Sequence, residues 1–152
     1  MNFLQAVLLL FIGIGSLGVL IKGLDESRRK KNAYRETPFL FLAGIFVWGD
    51  AVIFGPFWII AAFWCYWMKD WVLFVLVVAV FWVVRSLGET IYWLNQQFST
   101  IERNPPRNLR GYELYRGDAI WFGYQTFWQS VMVVSIIATI YLASLWRGRG
   151  RL

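Results

Sequence analysis

The sequence predicts an all-α, polytopic integral membrane protein: four transmembrane helices in an antiparallel bundle, the second bent at a Gly-Pro pair. Three observations carry this prediction. The 152 residues are 59% hydrophobic and only 16% charged, whereas soluble domains carry about 25% charged residues. The mean hydropathy of +0.51 also excludes a disordered chain. The apolar residues are gathered into four runs, 3–24, 38–68, 71–98 and 118–146, each at or above the roughly 20 residues that a helix needs to cross a bilayer. Nearly all the cations lie between or after these runs. Residues 1–152 are therefore expected to form one transmembrane domain.

The first run is interrupted only by Gln5 and Lys22. It lacks a cationic start and a small-residue cleavage site, so a retained helix is expected rather than a signal peptide. Gly13, Gly15 and Gly18 match G-x-G-x-x-G. No strand precedes them, so the dinucleotide reading fails, and the glycines are expected to let another helix approach closely. In the second run, Gly55-Pro56 predicts a kink, because proline lacks a backbone donor and clashes with the preceding turn. A re-entrant hairpin at the same pair is the alternative. Four full spans are favoured, since each half of the run is too short to cross and its backbone would need burial in protein. Lys69-Asp70 makes a tight turn into the third run. The long connection 99–117 contains the breakers Pro105, Pro106 and Gly111.

Charge sets the expected orientation. With four spans, loops 25–37 and 99–117 and their flanks carry ten Lys and Arg residues on one side, against four on the other: Lys69, Arg147, Arg149 and Arg151. The positive-inside rule places both basic loops in the cytoplasm and the protein in the cell or inner membrane. The net charge of +6 flanks apolar segments, so the expected partner is an anionic lipid headgroup and not nucleic acid.

Several function classes are excluded. There is no histidine, which rules out Ser-His-Asp and Cys-His triads and the commonest metal ligand. The single cysteine, Cys65, can form neither an intramolecular disulfide nor a CxxC pair. No metal, no cofactor and no enzymatic activity are expected. A membrane enzyme using Asp50 or Glu89 as acid or base on a lipid-like substrate is the weakest of the readings.

The informative residues are the polar ones inside the apolar runs. Asp50, Arg85 and Glu89 each cost about 2.5 to 3.5 kcal/mol at the centre of a membrane helix, and such groups usually pair. Counted from the Lys69-Asp70 turn at ~1.5 Å per residue, Asp50 and Glu89 fall at one depth, with Arg85 one turn nearer the turn. Arg85, Glu89, Tyr92 and Gln96 share one face of the third helix by their spacing. Asp118, Gln125 and Gln129 share a face of the fourth. These residues are expected to form a polar layer. The leading reading makes the layer functional: an oligomeric transporter or channel for a cation, proton or small polar ligand. The alternative makes it architectural, in a non-catalytic scaffold subunit of a larger membrane complex, where interhelical polar contacts fix the fold.

Trp48-Gly49-Asp50, Pro56-Phe57 and Ala61-Ala62 resemble one helix of the emopamil-binding-protein (EXPERA) family of four-helix membrane proteins. The resemblance implies an acidic residue lining a pocket for cationic or sterol-like ligands. It covers one helix only. The family's histidine and longer first loop are missing here, so no function is taken from it.

Overall fold

The computed structural model describes residues 1–101 and 103–149; Arg151, one of the tail cations counted above, lies outside them. The named elements of the described chain are all helical: α1 (Phe3–Leu24), a π-helical turn (Asp25–Arg29), a 3-10 turn (Phe41–Ala43), α2 (Trp48–Trp67), α3 (Trp71–Phe98), a second 3-10 turn (Pro106–Asn108) and α4 (Ala119–Arg149). All four α-helices are long and apolar enough to cross a membrane. The chain divides into two compact units, Met1–Val77 and Val78–Leu152.

The first unit is built on α1 and α2. α1 starts with reciprocal capping: Asn2 Oδ1 accepts from the Gln5 amide at 2.9 Å, and Gln5 Oε1 accepts from the Asn2 amide at 2.8 Å. These bonds satisfy two of the donors that a helix start leaves open. Glycines then bring the two helices together. A Cβ on Gly13 would lie 3.0 Å from the Phe63 ring, one on Gly55 3.0 Å from Leu20 Cβ, and one on Gly23 2.6 Å from Ala51 Cβ. The contact partners fall along α2 as they rise along α1, and Gly13, Leu20 and Gly23 follow the seven- and three-residue steps of one helix face.

Within this chain the close glycine contacts are those of Gly13 and Gly23 of α1 and Gly55 of α2; Gly15 and Gly18 meet nothing among the described residues within 4 Å. At ~100° per residue, Gly15 lies about 200° around the helix from Gly13, on a face turned away from these contacts. One expectation is corrected here. The second helix begins at Trp48, ten residues later than the apolar run. Gly44 takes a left-handed conformation (φ 68°) that ends the 3-10 turn. Glu36 and Val47 pair as an isolated antiparallel bridge, and the Thr37 amide donates to Phe46 O at 2.8 Å. Residues 38–47 thus form an apolar loop, which a hydropathy run does not distinguish from a helix. α2 continues unbroken through Gly55 and Pro56, which removes the re-entrant hairpin.

Cys65 is buried in this unit, 1% exposed. The turn into α3 places Lys69 at φ 51°, and Asp70 Oδ1 accepts from the Leu73 amide at 3.0 Å, capping the helix start.

The second unit comprises the rest of α3, the long connection and α4. Trp82 of α3 stacks on Trp128 of α4, ring centroids 6.4 Å apart and planes within 12°. At the far end, Trp93, Ile120 and Trp121 form a buried cluster, joined by Leu109 and Tyr112 of the connection.

Candidate functional site

The polar centre of the second unit is a ladder on α3. Residues 85, 89 and 93 stand one turn apart on one face. Arg85 Nη1 lies 2.7 Å from Glu89 Oε1, and the side chains are 14% and 15% exposed. The other carboxylate oxygen accepts from Trp93 Nε1 at 3.2 Å. Glu89 is thus held from both sides, by a guanidinium and by an indole N–H. The Trp93 ring packs on Tyr124 at 4.5 Å and edge-on to Tyr92 at 5.3 Å. Arg85 is near mid-helix, about 21 Å from the Trp71 end and about 20 Å from the Phe98 end at ~1.5 Å per residue. A charge there is costly unless paired.

The rest of the predicted stripe engages the long connection. The Tyr92 hydroxyl accepts from Asn104 Nδ2, and the Asn104 carbonyl accepts from Trp121 Nε1 at 3.0 Å. Gln96, 4% exposed, donates to Ile101 O at 3.0 Å. Gln125 accepts from Gln97 Nε2 at 2.7 Å, tying α4 to α3. The Tyr124 hydroxyl donates to Arg110 O at 3.2 Å. Gln129 is half-buried and makes no side-chain hydrogen bond among the described residues. The structure therefore gathers Arg85 with Glu89 and brings Tyr92, Gln96 and Gln125 to the connection end of the unit. Gln97, Asn104, Trp93 and Trp121 belong to this network and were missed from sequence. A Gln96-Gln97 pair and an asparagine ahead of two prolines were the available signals.

Asp50 belongs to the first unit, in the first turn of α2. Its Oδ2 accepts from the amides of Phe46 (2.9 Å) and Val47 (3.2 Å). A carboxylate is favoured there by both the open donors and the helix dipole. The helix-start position follows from the late beginning of α2.

On the hydroxyl side, Thr90 Oγ1 is buried without a partner among the described residues. No group of three or more acidic, thiol or imidazole side chains that could hold a metal ion occurs among the described residues.

At the end of the first apolar helix, the basic turn after α1 is partly neutralised. Glu26, only 8% exposed in its side chain, pairs with Lys22 at 3.1 Å and Lys30 at 2.7 Å, and Asp25 pairs with Arg29 at 2.7 Å. Asn32 Nδ2 donates to the second Glu26 oxygen at 3.3 Å. The hydrogen bond that Lys30 Nζ donates to Glu26 Oε1 holds the pKa of the Lys30 ammonium above its ordinary value.

These features define a class: an all-helical protein with four helices apolar enough to span a membrane and a charged pair in the third. No protein-family model, characterised protein or solved structure matches the chain.

Proposed function

We propose that this chain is a four-span integral membrane protein serving as a non-catalytic structural subunit, its intramembrane polar side chains used for its own architecture. The observation that carries this reading is the network of the second unit. Glu89 is held by Arg85 and Trp93, and Tyr92, Gln96 and Gln125 each bond another residue of the same unit. Polar groups in lipid must find partners inside the protein, and these have done so while fastening the connection to α3 and α4. The same reading includes an antiparallel bundle, a bend of α2 at Gly55-Pro56, basic loops on the cytoplasmic side, and association with further copies or with a membrane-complex partner.

The second reading, an oligomeric transporter or channel for a cation, proton or small polar ligand, is favoured by one observation. Arg85 stands near the middle of α3, with Glu89 one turn closer to the Phe98 end, and ionisable residues inside a span commonly serve transport. One experiment separates the two. Wild type and Glu89→Gln are purified, tested for assembly, and reconstituted for proton and cation flux. The structural reading expects no flux above empty liposomes and less folded, assembled Glu89→Gln. Flux from wild type that is lost in a normally assembled Glu89→Gln overturns it in favour of transport.

A further inference from the structure

The loop between the basic turn and α2 has the chemistry of a lipid interface. Residues 38–46 read Pro-Phe-Leu-Phe-Leu-Ala-Gly-Ile-Phe, nine residues without a charge. Phe39 is 91% exposed, Leu42 72% and Phe41 56%. Yet the segment has a defined fold. The amides of Ala43 and Ile45 donate to Leu40 O, and that of Gly44 donates to Phe41 O. Trp58 Nε1 of α2 donates to Ala43 O at 2.9 Å, and Ile45 is buried beneath, 2% exposed. An ordered backbone therefore presents a cluster of large apolar side chains outward, where water would be a poor solvent for them.

The flanking charge points the same way. Between Lys22 and Glu36 the chain carries six cations against three acids. Asp25 and Glu26 are taken up by Lys22, Arg29 and Lys30. Arg28, Lys31 and Arg35 are exposed and make no ion pair among the described residues. Depth is fixed by α2. Its 20 residues rise about 30 Å, the thickness of the hydrocarbon core, so the loop at its start lies at headgroup level. Non-helical backbone exposed to lipid belongs at that level and not deeper.

We propose that residues 38–46 are an interfacial anchor. Phe39, Phe41 and Leu42 enter the headgroup–acyl boundary of the adjoining leaflet, and Arg28, Lys31 and Arg35 bind the phosphates of anionic phospholipids there. The proposal is independent of whether the protein transports or scaffolds.

The full chain carrying Phe39→Cys is labelled with an environment-sensitive fluorophore in nanodiscs of phosphatidylcholine and phosphatidylglycerol. Buried Cys65 is protected from the label, which unlabelled wild type verifies. Leu42→Cys is the second probe site, and Asn108→Cys, in the other basic loop, is the reference for water exposure. The expected result is blue-shifted emission at 39 and 42, quenched by lipids with a nitroxide high on the acyl chain and shielded from aqueous iodide. Iodide quenching equal to that at residue 108 overturns the anchor. So does shielding from iodide without quenching by lipid, which would mean that another protein surface covers the loop. For the cations, Arg28→Gln/Lys31→Gln/Arg35→Gln is expected to lower enrichment of spin-labelled phosphatidylglycerol on the order of fivefold per charge removed. Unchanged enrichment overturns the phosphate contacts.

Discussion

Glu89→Gln is the perturbation that most directly weighs the structural reading. In the native unit, Arg85 Nη1 sits 2.7 Å from Glu89 Oε1, and both side chains are about six-sevenths buried. The pair attracts by about 4 kcal/mol for charges near 4 Å apart at an effective dielectric constant of 20. Much of that is offset by the desolvation of both ions. Removing one charge leaves the other buried and uncompensated, and such changes typically cost about 3–5 kcal/mol. Glutamine keeps the carbonyl oxygen, so it can still accept from Trp93 Nε1, and the expected loss is about 2–4 kcal/mol. Arg85→Met/Glu89→Met removes both charges and substitutes apolar volume. It is expected to recover most of that loss, because no ion is then left unpaired. The assay is equilibrium unfolding by SDS titration in bicelles, followed by the near-ultraviolet circular dichroism of the stacked Trp82 and Trp128 rings. A Glu89→Gln protein that unfolds at the wild-type midpoint would refute the argument, as would a double variant less stable than the single one.

Three further outcomes are expected. Gly23→Val should destabilise the α1–α2 pair by about 2–3 kcal/mol, because its Cβ meets Ala51 Cβ at 2.6 Å and Trp48 O at 3.2 Å. Gly15→Val, with nothing within 4 Å, should stay within about 0.5 kcal/mol; the reactivity of buried Cys65 toward a thiol dye during denaturation reads both. Thr90→Val should stabilise the second unit by about 1 kcal/mol, since it replaces a buried hydroxyl without a hydrogen-bond partner by a methyl of similar size. The same SDS titration checks it, and a loss of stability would count against the unsatisfied hydroxyl. Gln97→Ala leaves Gln125 Oε1 without the donor now at 2.7 Å and should cost about 1–2 kcal/mol. Faster amide hydrogen exchange at the junction of α3 with the 99–117 connection is the expected sign.

Much of the helical framework was legible in the chain itself. The ends of α1 and α3, Phe3–Leu24 and Trp71–Phe98, coincide with the limits of their apolar runs, because charged or turn-forming residues bound both. The start of α2 was not legible. Residues 38–47 are as apolar as any span, and only the bond set of Thr37, Gly44 and Asp50 stops the helix there. The Arg85–Glu89 pair could be foreseen because four residues is one helix turn, a local relation. The partners of Tyr92 and Gln125 could not, since the sequence gives their helix face and not what faces them.

What the sequence by itself determined is thus the local chemistry: four apolar helices, the spacing that pairs Arg85 with Glu89, and cations gathered into two connections. These depend on hydropathy and on the 3.6-residue period, which act within a segment. The folded chain alone decided which glycines touch a neighbour, where α2 begins, and that Tyr92, Gln96, Gln97 and Gln125 bind within their own unit. Those choices belong to residues far apart along the chain, and only the packing of one backbone against another gives them a distance.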